Sequence, residues 1–359
     1  MAASQIFGIV GMADIGSDAL LADLGRDAIV NVVNVSLAEH NAMVNQFLAP
    51  FGELTSDYKR RLLLPGGGKL QASDENGRAR PRKGTSYDVA LPILQGGDAW
   101  GSNYVTLQKM SVERFGTLLT GMLNADFASV RDLTYSALFT ATSWTFADPE
   151  YGDLVVKYLA NGDTDTYPTV GSTALATDTH LLAQAATIAD ANNPFPTIRD
   201  ELLEHGSDLG DVIAFIPPSI QSAVEGLTEF TAIPNDIVVV GNGDTTISRR
   251  GPKIPVPGQV IGYLTTSRTW IVVHRTLPTG YLIAVTENGP RPLAFRQDKQ
   301  AALQGFHHAG DVDKFPFFED QWIRRIGAGA WNRVGAVALY FGTSASYTAP
   351  SGYSAKSLA

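Results

Sequence analysis

A long amphipathic segment, residues 111–139, constrains the fold of this chain more than its other sequence features do. Apolar side chains recur there every three or four residues, which predicts one helix with a single buried stripe. The stripe comprises Val112, Phe115, Leu118, Leu119, Met122, Leu123, Phe127, Val130, Leu133, Ala137 and Leu138. Ser111 is the candidate N-cap. A helix of roughly 28 residues is about 42 Å long, and average helices have only about 11 or 12 residues. We therefore expect this helix to be the spine of the molecule.

Two glycines interrupt this predicted spine helix. Gly116 and Gly121 each cost about 1 kcal/mol relative to alanine inside a helix. Their presence predicts that another backbone packs closely against the helix at both positions.

A strongly basic segment precedes the spine helix. Residues 57–84 contain eight basic and three acidic side chains, whereas the whole chain has a net charge of −9. Asn76-Gly77 is a strong turn signal, so we predict a long hairpin with strands through 58–72 and 79–94. Such a hairpin buries too little apolar surface to be stable alone. We expect it to lie on another surface, an acidic one; a flexible, solvated basic loop is the alternative.

The remaining segments predict a mixture of helices and strands. A helix capped by Ser36 is expected to carry Leu37, Val44, Phe47 and Leu48, after an extended or partly helical arm. Further helices are predicted at 178–191, 197–205 and 219–226. Strands are predicted at 211–216, 237–240, 258–264, 269–273, 281–285 and 293–296, and two more within 321–340.

Composition excludes several classes of protein. The chain has 359 residues, 44% of them hydrophobic, which is too many for a disordered protein. It has no cysteine, so disulfides and thiolate-based metal sites are excluded. Its negative charge argues against a dedicated nucleic-acid binder. Only 18% of residues are charged, below the roughly 25% of an average domain, which suggests that neighbours cover much of the surface.

Residues that could carry catalysis do not form a recognisable set. His307 and His308, followed by Asp311 and Asp313, are the one cluster with metal-ligand character, and a polar loop is the favoured interpretation. There is no G-x-S-x-G nucleophile elbow. We therefore predict no catalytic residues, no metal and no cofactor, and a protein that is not an enzyme. An enzyme with an unrecognised site and a plain globular binding module remain alternatives.

Three segments carry a resemblance to a known family. They are DVIAFIPPSI at 211–220, IGYLTTSRTWIVVHRTLPTGYLIAV at 261–285, and WNRVGAVALYFG at 331–342, which follows Arg324, Arg325 and Gly327. Together with the order of arm, basic hairpin, spine helix, mixed middle and strand-rich end, they resemble the major capsid protein of tailed double-stranded DNA bacteriophages. The resemblance implies an α+β, Hong Kong 97-like capsid fold.

The resemblance also implies a division of the chain into family parts. These are an N-terminal arm (1–55), an extended hairpin loop (56–105), a peripheral domain with the spine helix (106–145), an axial α/β domain (146–257), and a segment that mostly returns to the peripheral domain (258–359). Some family members carry a scaffolding segment of about a hundred residues before the arm. With about 55 residues before the hairpin, we expect scaffolding to be a separate protein or absent.

Some members form lysine–asparagine isopeptide bonds between subunits. Lys69 and Lys83 lie in the corresponding region, and Asn332 is a conceivable acceptor. The glutamate expected a few residues after the asparagine is missing, because 333–341 contains no acidic residue. We therefore expect non-covalent locking by the hairpin and the N-terminal arm.

By resemblance, the expected function is to assemble, as pentamers and hexamers, into an icosahedral shell around phage DNA that is enclosed without sequence-specific binding. The expected partners are further copies of the chain and portal and scaffolding proteins, with cement proteins left open and no membrane. Assembly is expected in the bacterial cytoplasm, and the final location is the virion capsid. An encapsulin-type nanocompartment is the nearest alternative. The intersubunit contact residues are expected to be Lys59, Arg60, Arg61, Lys69, Arg78, Arg80, Arg82 and Lys83.

Overall fold

The computed structural model describes residues 20, 26–64, 77, 84–170, 175–206, 209–233, 252–314 and 317–353. The helices in these ranges are α1 (Arg26–Leu48), α2 (Tyr104–Gln108), α3 (Val112–Phe139), α4 (Phe195–Glu204) and α5 (Gln221–Glu225). The first strands are β1 (Gly52–Thr55), β2 (Lys59–Leu64), β3 (Thr85–Ala90), β4 (Leu94–Asn103), β5 (Trp144–Asp148), β6 (Gly152–Val156), β7 (Tyr167–Pro168), β8 (Leu175–Ala176) and β9 (Leu181–Gln184). The later strands are β10 (Val212–Ile216), β11 (Phe230–Ala232), β12 (Gln259–Leu264), β13 (Thr269–Val273), β14 (Tyr281–Thr286), β15 (Leu293–Arg296), β16 (Phe306–Lys314), β17 (Phe317–Ala330) and β18 (Ala336–Phe341).

The spine helix α3 is confirmed at both ends. The Ser111 hydroxyl accepts a hydrogen bond from the Arg114 backbone N–H at 3.3 Å, as an N-cap should. Gly116 is buried, but a Cβ on Gly121 would meet nothing within 4 Å. The prediction of close backbone packing at Gly121 is therefore wrong, since this position faces open space.

A seven-stranded sheet, ordered β11-β12-β13-β10-β14-β18-β9, forms the larger half of the core. All five residues of β10 are buried, and they alternate between two apolar clusters. Val212, Ala214 and Ile216 pack with α4 and α5, whereas Ile213 and Phe215 pack with the C-terminal half of α3. This alternation follows from the two-residue period of a strand, so the sheet is covered on both faces.

The second sheet follows the order β1-β15-β17-β16, and β4 also pairs with β17. Its long strand β17 holds both β16 and β4 in antiparallel register. Leu119, Met122 and Leu123 of α3 pack on it with Phe306 and Trp322. The N-terminal half of the spine thus covers this sheet and its C-terminal half covers the seven-stranded one, so α3 joins the two.

The N-terminal helix begins earlier than the sequence predicts. Ser36 lies ten residues inside α1 rather than at its N-cap, and its hydroxyl donates to the Val32 carbonyl at 3.0 Å. A serine that bonds back to the preceding turn is compatible with a helix interior, so the expected cap role is wrong. The predicted buried residues Leu37, Val44 and Phe47 do lie in the core.

The predicted helix at 178–191 is wrong. This segment contains β9, which runs parallel to β18 at the end of the seven-stranded sheet, followed by a 3₁₀ turn at Asp190–Asn192. Pairing with a strand about 155 residues away along the chain overrides the local helical preference. The helices expected at 197–205 and 219–226 and the strands expected at 211–216, 258–264, 269–273, 281–285 and 293–296 are confirmed within a few residues. The strand expected at 237–240 lies outside the described residues.

The boundary placed between residues 257 and 258 falls inside one sheet. β12, β13, β14 and β18, from the later segment, pair with β9, β10 and β11 from the earlier one. β15, β16 and β17 form the other sheet with β1 and β4. The final hundred residues therefore contribute to both sheets, and the assignment of the five ranges to family parts remains a prediction. Among the described helices, we find none with the length and apolar character needed to cross a membrane.

Candidate assembly surface

The predicted hairpin is present at its base, which consists of β2 and β3. These strands pair antiparallel from Lys59 opposite Ala90 to Leu64 opposite Thr85. The expected turn at Asn76-Gly77 and the outer parts of both strands fall on residues whose structure is not described, apart from Gly77. β4, which follows the hairpin, pairs with β17 rather than with β2.

Apolar packing anchors the hairpin base to the body of the molecule. Tyr87 and Val89 are buried in a cluster with Leu91 and Tyr167, and Trp331 packs against it. The Tyr87 hydroxyl donates to the Trp331 carbonyl at 2.9 Å. The turn between β17 and β18 therefore holds the hairpin base in place.

Lys59 and Arg61, two of the predicted contact residues, share one carboxylate within the chain. Lys59 Nζ lies 2.7 Å from Asp88, and Arg61 Nε lies 2.7 Å from the same side chain. Hydrogen bonds from Arg61 and Lys59 hold the pKa of Asp88 well below its usual range. Asp88 lies just outside the basic segment of the sequence, so the charge count for residues 57–84 omits it.

Arg60 is paired as well. Its guanidinium bonds Glu53 and lies 3.3 Å from Asp57, and it stacks 5.4 Å from the ring centre of Trp331. The structure thus brings the three predicted contact residues of β2 together with carboxylates of their own chain. The other five, Lys69, Arg78, Arg80, Arg82 and Lys83, lie outside the described residues.

An open cleft of about 380 Å³ lies beside the hairpin base, between β3 and β6. Its charged lining includes two ion pairs, Lys59 with Asp88 and Lys157 with Asp165, and also Asp153. Lys157 lies 5.3 Å from the ring centre of Tyr87. These charges suit a polar chain segment lying in the cleft better than a small apolar ligand.

Helix α1 exposes three separate aliphatic side chains among polar ones. Val30, Val35 and Met43 are 47%, 46% and 40% exposed, while Val33 and Leu37 on its inner face are buried. Asn31, Asn34 and Glu39 are exposed between them, so these aliphatic side chains do not form a continuous apolar patch.

A buried polar clamp, formed by His40, Asn41, Asp126 and Arg324, fixes α1 to the spine and to β17. Arg324 donates to Asp126 through Nε at 2.6 Å and Nη2 at 2.7 Å, and His40 Nε2 lies 2.7 Å from the same carboxylate. Burial alone would raise the pKa of Asp126, but the bonds from His40 and Arg324 outweigh it and lower the pKa. The sequence carried a signal for this clamp, because Asp126 falls on the buried stripe of the spine helix.

Arg333 forms a second buried anchor next to the hairpin. It is fully buried, and it donates to Asp163 at 2.7 Å and to the Tyr158 carbonyl at 2.6 Å. Asn332, the conceivable isopeptide acceptor, is also buried, and its amide donates to the Pro290 carbonyl at 3.0 Å. Lys69 and Lys83 lie outside the described residues, so the absence of a crosslink stays a prediction.

His307 and His308, the histidines suggested by the sequence, do not point at a common site. His307 Nδ1 lies 3.1 Å from the Gly305 carbonyl, and His308 pairs with Asp320. Within the described ranges, the histidines that do share a carboxylate are His180 and His205, which meet at Asp178. Sequence reasoning missed this group because His205 lies 25 residues after His180, at the end of α4.

No protein-family model matches the chain, and no curated protein matches it. Among solved structures, it is similar to one of Mycobacterium phage Patience, with 19% identity, coverage of 99% of this chain and 98% of that chain, and a TM-score of 0.69. It is also similar to the asymmetric unit of the bacteriophage PhiM1 mature capsid (10% identity, 82% and 86% coverage, TM-score 0.49). A third similar structure is the capsid of the native GTA particle (10% identity, 83% and 90% coverage, TM-score 0.48). The first likeness spans both chains almost end to end, so this chain has an α+β fold shared with a phage structure, in agreement with the predicted Hong Kong 97-like capsid fold.

Proposed function

We propose that the chain is a structural, non-enzymatic subunit that assembles in many copies into a closed icosahedral shell around phage DNA. The observation that carries this proposal is the likeness to the Mycobacterium phage Patience structure, which covers 99% of this chain and 98% of that one. A match over the full length leaves little of the chain for an added catalytic domain. The shell is the capsid of a virion and is assembled in the bacterial cytoplasm.

The hairpin extends from each subunit to contact a neighbouring one. Its base is anchored to the body of the subunit by Tyr87 and Trp331. Because Lys59, Arg60 and Arg61 are already paired with their own chain, they stabilise the base. Charge for a neighbouring subunit then comes from Lys69, Arg78, Arg80, Arg82 and Lys83, which lie across an acidic patch of that subunit.

Weak contacts between subunits are sufficient to hold a shell together when every subunit makes several of them. Each subunit makes several contacts at once, so the effective concentration of every additional contact is high. Heterologous contacts that close on themselves generate pentamers and hexamers and then a shell. Charged pairs between hairpin and neighbour set the register more than the affinity. Helix α1, on which Val30, Val35 and Met43 are exposed, adds a contact with another copy.

The charge of the chain suits packaged DNA. A net charge of −9 disfavours strong adhesion of the subunit to a polyanion that must later leave. The DNA is enclosed without sequence-specific binding, and portal and scaffolding proteins act at assembly.

Charge reversal of the distal hairpin tests this assignment. We expect Arg78→Glu, Arg80→Glu and Arg82→Glu together to prevent shell formation while the subunit stays soluble, as measured by sedimentation velocity and negative-stain microscopy. The matched control reverses Lys109, Arg114 and Lys299, three exposed residues outside the hairpin, and should still assemble. Normal shells from the hairpin variant would overturn the role of the hairpin.

The contents of the particles distinguish a phage capsid from a cellular nanocompartment. We expect particles from infected or lysogenic cells to contain nuclease-protected double-stranded DNA. Particles that enclose an enzyme and no DNA would instead identify the encapsulin-type alternative.

A further inference from the structure

Asp178, His180 and His205 form a compact cluster at one end of the seven-stranded sheet. Asp178 and His180 immediately precede β9, and His205 is the C-cap residue of α4. Asp178 Oδ2 lies 3.0 Å from His180 Nε2 and 2.6 Å from His205 Nε2. The His180 side chain is 0% exposed and the His205 side chain is 6% exposed, so both rings are shielded from water.

The other nitrogen of each ring fixes its protonation. His180 Nδ1 lies 3.1 Å from the Ala336 carbonyl oxygen, and His205 Nδ1 lies 3.0 Å from the Pro168 carbonyl oxygen. A carbonyl oxygen only accepts hydrogen bonds, so each Nδ1 carries a proton. In a neutral ring, Nε2 then carries a lone pair and no proton. The Nε2 lone pairs of His180 and His205 both point at the Asp178 carboxylate, whose oxygens are also only acceptors. A positive charge is required between these three groups.

A single metal cation can satisfy this requirement in place of two extra protons. Two imidazolium rings would stand with their centres 5.4 Å apart around one carboxylate. One divalent ion instead meets both Nε2 lone pairs and the carboxylate together. Histidines that bind a metal almost always donate their other ring N–H to a carbonyl, carboxylate or water, and both rings here have that arrangement.

We propose that Asp178, His180 and His205 bind a divalent cation of the zinc class. Two imidazoles and one carboxylate form a ligand set that zinc accepts, with a fourth position for water or for a nearby carboxylate. Glu201 is the carboxylate to test for that position, because its ligand oxygen lies within 4.8 Å of that of Asp178. Tetrahedral donors at about 2.0–2.1 Å from zinc stand about 3.3 Å apart. Asp178 Oδ2 lies 3.0 Å and 2.6 Å from the two ring nitrogens, so binding requires the carboxylate to move away from both rings.

The proposed ion would be structural. It would connect the C-terminus of α4 to the segment that leads into β9, and it would stabilise the folded chain because the unfolded chain lacks the preformed site. This inference is independent of the shell function, since it depends only on contacts within one subunit.

Zinc titration of the full-length protein tests the site. The protein is stripped with a chelator, dialysed, and titrated with zinc chloride by calorimetry, with metal content measured by mass spectrometry and melting followed by scanning calorimetry. We expect one zinc ion per chain and a higher melting temperature with zinc.

His205→Gln is the primary variant, because His180 is completely buried and its replacement can disturb folding. We expect His205→Gln to lose at least tenfold in zinc affinity.

His308→Gln is the matched control, since it removes a histidine that pairs with Asp320 on another sheet, and it should bind zinc as the unchanged protein does. Glu201→Gln reports whether that carboxylate contributes, through a smaller loss of affinity than His205→Gln. Absence of zinc binding by the unchanged protein, or equal losses in His205→Gln and His308→Gln, would overturn the proposal. Nitrogen-15 spectra that show both rings doubly protonated in zinc-treated protein would also overturn it.

Discussion

His274 is a buried titratable side chain whose surroundings favour its neutral form. It is 7% exposed, and its Nδ1 lies 3.0 Å from the Thr276 hydroxyl and 3.4 Å from the Tyr135 hydroxyl. Burial, together with the positive charge of Arg131, lowers the pKa of His274 to about 4. In the unfolded chain the imidazole has a pKa of about 6.5, so protonation favours unfolding.

This difference predicts an acid-sensitive subunit. The stabilising effect of neutral His274 is complete above about pH 6.5 and is lost as the pH falls toward 4, by up to about 3 kcal/mol. His274→Asn keeps an acceptor near Thr276 and should remove this part of the pH dependence. Guanidinium unfolding of the unassembled subunit between pH 7 and pH 4.5 measures the effect, with His308→Asn as a control. Parallel curves for the unchanged protein and His274→Asn would contradict the account.

At the scale of elements, the polar clamp is the main charged connection between α1, the spine helix and β17. Asp126 accepts bonds from both His40 and Arg324, and Arg324 also donates to Asn41 at 2.9 Å. The side chains of Asp126 and Arg324 are each only 3% exposed. Removal of one partner from such a pair leaves the other charge buried without compensation.

We therefore expect Asp126→Ala to destabilise the subunit by about 3–5 kcal/mol, as measured by guanidinium unfolding. Asp132→Ala is a matched control on the same helix. Asp132 is 44% exposed and lies 2.8 Å from Arg131, and loss of an exposed pair costs about 1 kcal/mol or less. Similar losses from the two substitutions would show that the clamp does not hold the three elements together.

The elements differ in how well the sequence predicted them. The spine helix was predictable because its stripe and its Ser111 cap are local features of one segment. β9 was not, because its strand character comes from pairing with β18 far along the chain. The clamp was partly predictable from Asp126 within an apolar stripe, but its partners His40 and Arg324 come from distant segments. The pairing of Arg61 with Asp88 was missed because Asp88 belongs to the opposite strand of the hairpin.

At the scale of the whole molecule, two sheets share one spine. Tyr135 and Phe139 of α3 pack with residues of the seven-stranded sheet, while Leu119 and Met122 pack with the other sheet. The last hundred residues contribute β12, β13, β14 and β18 to the seven-stranded sheet and β15, β16 and β17 to the other. Tyr87 attaches the hairpin base to this body through its hydrogen bond to the Trp331 carbonyl.

In the shell that we propose, each hairpin crosses a neighbouring subunit. Electron cryomicroscopy of purified particles tests this arrangement. We predict closed icosahedral particles with density for residues 65–83 lying against an acidic surface of the adjacent subunit. Protein that remains a small, soluble species under all assembly conditions, or shells in which these residues fold back on their own subunit, would contradict this arrangement.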